Sequence, residues 1–297
     1  MQLIEELKKI RKITIVALFS DDELMNIFVL KGGNALDIVH NINSRASTDI
    51  DLSIESDFTC DELEVVHNKL EKLLITTFKE NGYHAFDITL QPRPSKKDSE
   101  KDNLWGGYRL EFKVINNDKY NSLKGDLQAI RVNSLAVGEG QKRNLKVDIS
   151  KYEFCKGKQE TELDGFTIYV YSPVMVVYEK LRAICQQMEE YQDIVRTTRK
   201  GRAKDFFDIY TIIEQPKFSF KLDKPENIEM LKEIFLIKKV PLSLLGKIQQ
   251  QREFHRDSFS AVKDAVYESP NYKLKSYDYY FDYVVEKVKL LESLWKK

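Results

Sequence analysis

Cysteine, histidine and glycine are scarce in this 297-residue chain, and long apolar runs are missing altogether. The three cysteines, Cys60, Cys155 and Cys185, are odd in number and far apart. That spacing excludes a disulfide framework and a cysteine zinc cluster, and fits a reducing compartment. The four histidines, His40, His67, His84 and His255, lack zinc-motif spacing and are assigned no catalytic role. No stretch approaches the roughly 18 apolar residues of a membrane span, so no membrane partner is expected. The opening residues 1–10 carry acids among their apolar positions and show no secretory core, from which a soluble, cytoplasmic protein is expected. Net charge is also missing. Lys plus Arg and Asp plus Glu both number 47, so the molecule as a whole lacks the positive field of a non-specific nucleic-acid binder, leaving only a local basic groove for RNA.

What is present is enough chain for a substantial core and, by length, two domains. Apolar spacing at Leu3, Ile4, Leu7 and Ile10 predicts a helix, and Asp21-Asp22-Glu23 opens another that ends near Ile27. Phe28-Val29-Leu30 reads as a short buried strand, broken by Gly32-Gly33 and followed by a helical turn. A helix is predicted over 59–80, then strands at Tyr83–Leu90 and Tyr108–Ile115 separated by a loop at Pro92–Asp102. Residues 119–137 read as mostly helical, and strands follow at Lys146–Ile149 and Gly165–Tyr171. From Val174 onward only helical patterns remain: 174–188, 203–213, 226–237, 242–254 and a terminal helix around Phe281–Trp295. The expected class is α+β, with a mixed-sheet domain over 1–173 and a helical bundle over 174–297 whose first helices help complete the site of the first domain.

The segment Lys31-Gly32-Gly33-Asn34-Ala35-Leu36 … Arg45-Ala46-Ser47-Thr48-Asp49-Ile50-Asp51-Leu52 concentrates the chemistry. On a strand of period two, Asp49 and Asp51 share one face while Ile50 and Leu52 share the other. Two carboxylates between apolar residues are costly unless a cation or hydrogen-bond donors meet them. Mg²⁺, a hard oxygen-seeking ion held by one or two carboxylates and substrate phosphates, suits that pair, with Mn²⁺ as a substitute. Gly32-Gly33 between strand and helix lets backbone N–H groups approach phosphate, although a glycine pair alone is ordinary turn material. A metal-assisted nucleotidyl transfer calls for a third carboxylate. Asp148 in Lys146-Val147-Asp148-Ile149 and Asp87 in Ala85-Phe86-Asp87-Ile88 have nearly the same local pattern, and the residues alone do not choose between them.

The ordered set Phe28–Leu36, Arg45–Leu52, Val177-Tyr178-Glu179-Lys180-Leu181 and Arg202-Ala203-Lys204-Asp205-Phe206-Phe207-Asp208-Ile209-Tyr210 resembles the AbiEii/AbiGii toxin family of the DNA polymerase beta-like nucleotidyltransferase superfamily. The resemblance spans about residues 28–210. It implies a minimal nucleotidyltransferase core in which Gly32, Gly33 and Asn34 meet nucleotide phosphates and Asp49 and Asp51 hold the metal. It favours Asp148 as the third acid, brings Lys180 to a triphosphate and makes Asp205 an organiser of the site. It further implies an NTP substrate, an RNA acceptor such as a tRNA end, and a toxin role with an antitoxin protein as partner. Asn34 departs from the Thr or Ser the family commonly carries after its glycine pair; an amide can still donate to phosphate but has a different reach.

Arg45, in the loop before Asp49, is a further candidate for phosphate. Arg196, Arg199, Lys200, Arg202 and Lys204 form a basic segment suited either to an RNA backbone or to solvation. The aromatic residues Tyr277, Tyr279, Tyr280, Phe281 and Tyr283 suit nucleobase stacking or, more simply, helix packing. The competing expectation is a catalytically weak nucleotide-binding or protein-interaction module on the same fold.

Overall fold

A computed structural model describes residues 2–42, 49–94, 105–137, 142–195, 198–266 and 273–296, with side chains from Glu5. Two compact units emerge: Met1–Val39 with Ser47–Val170, and His40–Ala46 with Tyr171–Lys297.

The first unit is built on a sheet of seven strands in the order β3-β4-β5-β2-β1-β7-β6. In chain order its elements are α1 (Gln2–Phe19), α2 (Asp22–Ile27), β1 (Val29–Lys31), a single turn α3 (Gly32–Asn34) that widens into a π-helical turn at Ala35–Val39, and β2 (Ile50–Ser53). Then follow α4 (Cys60–Glu80), β3 (Tyr83–Arg93), β4 (Gly107–Asn116), α5 (Asn117–Ser122), α6 (Leu127–Asn133), β5 (Leu145–Ser150), β6 (Lys158–Leu163) and β7 (Phe166–Tyr171). The sheet is mixed: β2 runs parallel to β5 and antiparallel to β1, while β1 runs parallel to β7. The β3, β4 and β5 strands form an antiparallel ribbon on the side of β5 away from β2.

One face of this sheet is apolar. Ile50, Leu52, Leu110, Phe112, Val114, Leu145, Val147 and Ile149 alternate with polar neighbours and join one core with α1 and α4. Nearly every residue of α1 from Ile10 to Phe19 is buried, so the helix is an internal one rather than a surface amphipath. A capping box starts α4: Thr59 Oγ1 accepts from the Glu62 amide at 3.2 Å and Glu62 Oε2 accepts from the Thr59 amide at 2.7 Å. Its stripe of Val66, Leu70, Leu74 and Phe78, spaced by fours, is buried. The opposite face of the sheet presents the other half of the alternation, including Asp51, Asp148, Arg109, Glu111 and Lys146.

The second unit contains α7 (Pro173–Cys185), α8 (Glu189–Gln192), α9 (Ala203–Ile213), α10 (Pro225–Leu236), a 3₁₀ stretch at Leu242–Gln251, α11 (Arg252–Arg256), α12 (Ser260–Lys263) and α13 (Tyr277–Lys289). Ser172 caps α7, its hydroxyl accepting from the Met175 amide, and Pro173 occupies the first turn where no amide bond is lost. Aromatic rings lock α13 onto α9: Phe281 stacks on Phe206 at 5.1 Å between ring centroids, while Tyr280 meets Phe207 at 5.2 Å and Tyr210 at 5.1 Å. Tyr277, Tyr280 and Phe281 are buried in this packing; Tyr279 is exposed. No described helix is long and apolar enough to cross a membrane.

Several elements differ from the expectations. Residues 119–137 form two short helices, because Gly125 at φ +84° breaks the run and Asp126 starts a new helix by accepting from the Ala129 amide. The 242–254 segment is 3₁₀ before it becomes α-helical at Arg252. The β6 strand was not anticipated. It precedes β7 through Asp164-Gly165, both at positive φ, the dipeptide that favours a tight hairpin turn. The loop expected from Pro92 begins later than predicted, because β3 runs on through Pro92 to Arg93 and stays paired with β4; residues 95–104 lie outside the described residues.

Candidate active site

Strand register assembles the first group of charges. Asp51 of β2 lies opposite Asp148 of β5, Lys31 of β1 lies opposite Asp51, and Arg109 of β4 lies opposite Asp148. Residues directly opposite on neighbouring strands share a face. The result is a row across four strands reading Lys31, Asp51, Asp148, Arg109: two adjacent carboxylates flanked by a cation on each side. Arg109 grips Asp148 with a two-pronged bond, Nε to Oδ1 at 2.7 Å and Nη2 to Oδ2 at 3.2 Å. Its hydrogen bonds to Asp148 raise the guanidinium pKa above its ordinary value. Lys31, almost wholly buried, pairs with buried Glu153 at 3.7 Å.

The glycine turn closes one end of the row. Gly32 sits at φ +71°, and a Cβ placed on it would lie 2.2 Å from Asp51 Oδ2. Glycine is therefore required twice, for backbone conformation and for the space the carboxylate fills. Asp49 lies one residue before β2 rather than within it. Its backbone carbonyl accepts from Asn34 Nδ2 at 2.7 Å, which ties the glycine turn to the start of the carboxylate strand. Asn34 is fully buried, and its Oδ1 finds no hydrogen-bond partner among the described residues. Arg45 lies outside the described residues.

Asp87 stands apart from this row. It lies in β3 at the sheet edge, two strands beyond β5, at a positive-φ irregularity. Arg131 and Lys113 both hold it at 2.8 Å, and their hydrogen bonds, Arg131 foremost, bring its pKa down to about 2. Geometry thus separates the two strand acids that the sequence left equivalent: Asp148 neighbours Asp51, and Asp87 serves an ion-pair cluster.

A second charged group lies in the helical unit. Lys180 of α7 is buried, its Nζ 3.0 Å from Asp205 Oδ1 and 2.7 Å from Asp208 Oδ2, both on α9. Arg202 Nε approaches the other oxygen, Asp205 Oδ2, at 2.6 Å. The sequence identified Lys180 and Asp205 but not what fixes the turn before them. Here His255 Nδ1 accepts the Arg202 amide at 3.1 Å and Ser258 Oγ accepts the Ala203 amide at 3.0 Å, capping α9 from another segment. A Cβ on Gly201 would lie 2.5 Å from Ser258 Oγ, so a glycine admits that cap. Burial drives the His255 pKa down to about 4. The only signal for this device in the sequence is Gly201 itself. Of the basic segment, Arg199 binds Glu189 at 2.8 Å and the Gln187 carbonyl at 2.5 Å; Arg196 lies outside the described residues.

No group of three or more His, Cys, Asp or Glu side chains poised to hold a metal occurs among the described residues. The donor set of the row is nevertheless the one a hard divalent ion takes: carboxylate oxygens from Asp51 and Asp148, with Asp49 close in sequence. Mg²⁺ needs only one or two protein carboxylates when phosphates complete its shell.

The sheet thus sets a pair of carboxylates beside a glycine turn in an α+β protein. The family described as "Nucleotidyl transferase AbiEii toxin, Type IV TA system" matches residues 14–286, and the chain belongs to that family. No curated protein matches it. Among solved structures it is similar to an antigenic nucleotidyltransferase-like protein from Paracoccidioides brasiliensis at 14% identity and a TM-score of 0.39, over 90% of this chain and 96% of that one; a likeness of this degree carries no conclusion.

Proposed function

We propose that the chain is a metal-dependent nucleotidyltransferase that moves an NMP group from an NTP to an RNA hydroxyl, such as a tRNA end. The observation that carries the proposal is the in-register pair Asp51 and Asp148 with the Gly32 turn packed against Asp51, joined to membership of a nucleotidyl transferase family. In the transfer the acceptor hydroxyl releases its proton to solvent as its oxygen bonds to the α-phosphorus, the bond from that phosphorus to the β-phosphate bridging oxygen breaks, and pyrophosphate leaves. Asp49, Asp51 and Asp148 would hold Mg²⁺ or Mn²⁺, which supplies charge stabilisation to the phosphate oxygens. Gly32 and Gly33 offer backbone amides to the phosphates, and Asn34 keeps the turn seated on the Asp49 carbonyl. Lys180 and Asp205 would take the triphosphate-binding and organising roles that the family motifs imply for them.

Each labelled NTP, incubated with Mg²⁺ or Mn²⁺ and total RNA or protein, identifies nucleotide and acceptor together. Label transfer to RNA with stoichiometric pyrophosphate release is the expected result; no transfer and no NTP binding would reject the enzyme. A toxin role paired with an antitoxin protein predicts that induced wild-type protein stops growth and alters tRNA ends, whereas Asp51→Asn at matched soluble levels does neither.

One observation favours a second reading, a nucleotide-binding or protein-interaction module without turnover: Asp148, Lys180 and Asn34 are each engaged by intramolecular partners. Calorimetry showing metal-dependent NTP binding with no pyrophosphate release would establish it.

A further inference from the structure

The charged row holds a residue that the family motifs do not explain. Arg109 lies on β4, a strand outside both the glycine-turn and the helical motifs, yet its guanidinium engages both oxygens of Asp148. The register Asp51, Asp148, Arg109 places this cation on the same sheet face as the two carboxylates. Asp148 and Arg109 are both part-exposed, at 35% and 27% of their side-chain surface, so the pair lies where a small ion from solvent can reach it. Asp51 and Asp148 side by side repel one another as carboxylates, and a fork-shaped donor on the outer one reduces that repulsion.

We propose that Arg109 is a resident counter-cation of the carboxylate pair: a positioning residue that holds Asp148 in line with Asp51, surrenders one Asp148 oxygen to an arriving divalent ion, and thereby sets the metal affinity of the centre. This rests on the metal-centre reading given above. Each carboxylate oxygen has a second lone pair, but a guanidinium spanning both oxygens crowds and repels an arriving ion, so the ion gains most when the guanidinium gives up one of its two bonds. Arg109 therefore opposes metal binding while keeping the metal-free site ordered. Lysine does not reproduce this arrangement, because a point ammonium lacks the planar fork.

The test is Mn²⁺ binding to the full chain without nucleotide, followed by electron paramagnetic resonance, for wild type, Arg109→Gln, Arg109→Lys, Asp148→Asn and the Arg109→Gln/Asp148→Asn double variant, each checked for folding by circular dichroism. Repulsion between a guanidinium and a divalent ion at neighbouring positions corresponds to about tenfold in affinity even in a water-like dielectric. Arg109→Gln is expected to bind Mn²⁺ about tenfold tighter than wild type, Arg109→Lys to fall between them, and the gain to shrink to about threefold or less without Asp148. A residue needed only for folding would weaken binding when replaced, not strengthen it. Unchanged or weaker binding in Arg109→Gln, or an equal gain in both backgrounds, overturns the proposal. Asp51→Asn separates the two levels. If it loses Mn²⁺ binding while Arg109→Gln changes nothing, only the role of Arg109 falls; if it binds as wild type does, the metal centre falls and the role of Arg109 with it.

Discussion

His255→Asn should remove a pH-dependent loss of stability from the helical unit. The histidine is fully buried, and its Nδ1 accepts the Arg202 amide, so the neutral ring must carry its proton on Nε2. Burial holds its pKa near 4 in the fold, against about 6.5 in an unfolded chain. Between those values the unfolded state binds the extra proton and the folded state does not. Stability therefore falls as pH drops from about 6.5 to about 4, and this contribution levels off below the folded value. The shift corresponds to about 3 kcal/mol in full, and to about 2 kcal/mol at pH 5 relative to pH 8. Asparagine can present its Oδ1 to the same amide but does not titrate. Urea midpoints measured from pH 8 to pH 4 should show the wild-type curve dropping below that of His255→Asn by about these amounts. His40 and His84, also lowered chiefly by burial, slope in the same window, so the quantity to compare is the difference between the two proteins. Parallel curves would refute the buried neutral histidine and, with it, the cap it provides to α9.

Three other outcomes are expected. Gly32→Ala should cost about 1–2 kcal/mol from the left-handed backbone alone, and should also cut metal affinity by displacing Asp51, read by thermal unfolding and Mn²⁺ binding on one sample; wild-type binding would show that the carboxylate tolerates the methyl. Asp148→Asn should impair metal-dependent transfer much more than Asp87→Asn, whose loss instead frees Lys113 and Arg131 and shows in stability; the reverse ranking would mean that the strand neighbour of Asp51 is not the third acid. Lys180→Ala leaves two buried carboxylates facing each other and should destabilise by about 3 kcal/mol or more, with Lys180→Met/Asp208→Asn recovering part of the loss in denaturant titrations; equal stability of the single variant and wild type would show that the triad contributes nothing to the fold.

The parts of this architecture that the sequence made legible are those governed by local chemistry. Alternation exposed the β2 and β5 strands, the four-residue stripe exposed α4, and the glycine pair marked the turn ahead of Asp51. Ala203–Ile213 was readable to the residue because its apolar stripe is long and its acids cluster at its start. What stayed hidden depends on register and on partners distant in sequence. Asp87 and Asp148 share a local pattern, and only the order of strands tells them apart. Arg109 is one of many arginines until β4 docks against β5. The cap on α9 comes from His255 and Ser258, about fifty residues downstream, so no window around Arg202 contains it. The β6 strand was missed because its exposed, charged residues lack apolar alternation, although Asp164-Gly165 was a usable signal.

The in-register carboxylate pair also has a consequence for the order of folding. Its two members come from strands that are neighbours in the sheet but far apart along the chain, separated by α4, the β3–β4 ribbon and two short helices. Parallel pairing of that kind closes a long loop before it gains contacts, and such steps come slowly. A chain in which β5 has not yet docked still has its glycine turn, its antiparallel β1–β2 register and Asp51 with Lys31 opposite it, but no second carboxylate beside Asp51. The centre is thus a product of completed topology, and the nascent protein stays without it until Leu145–Ser150 has been made and seated.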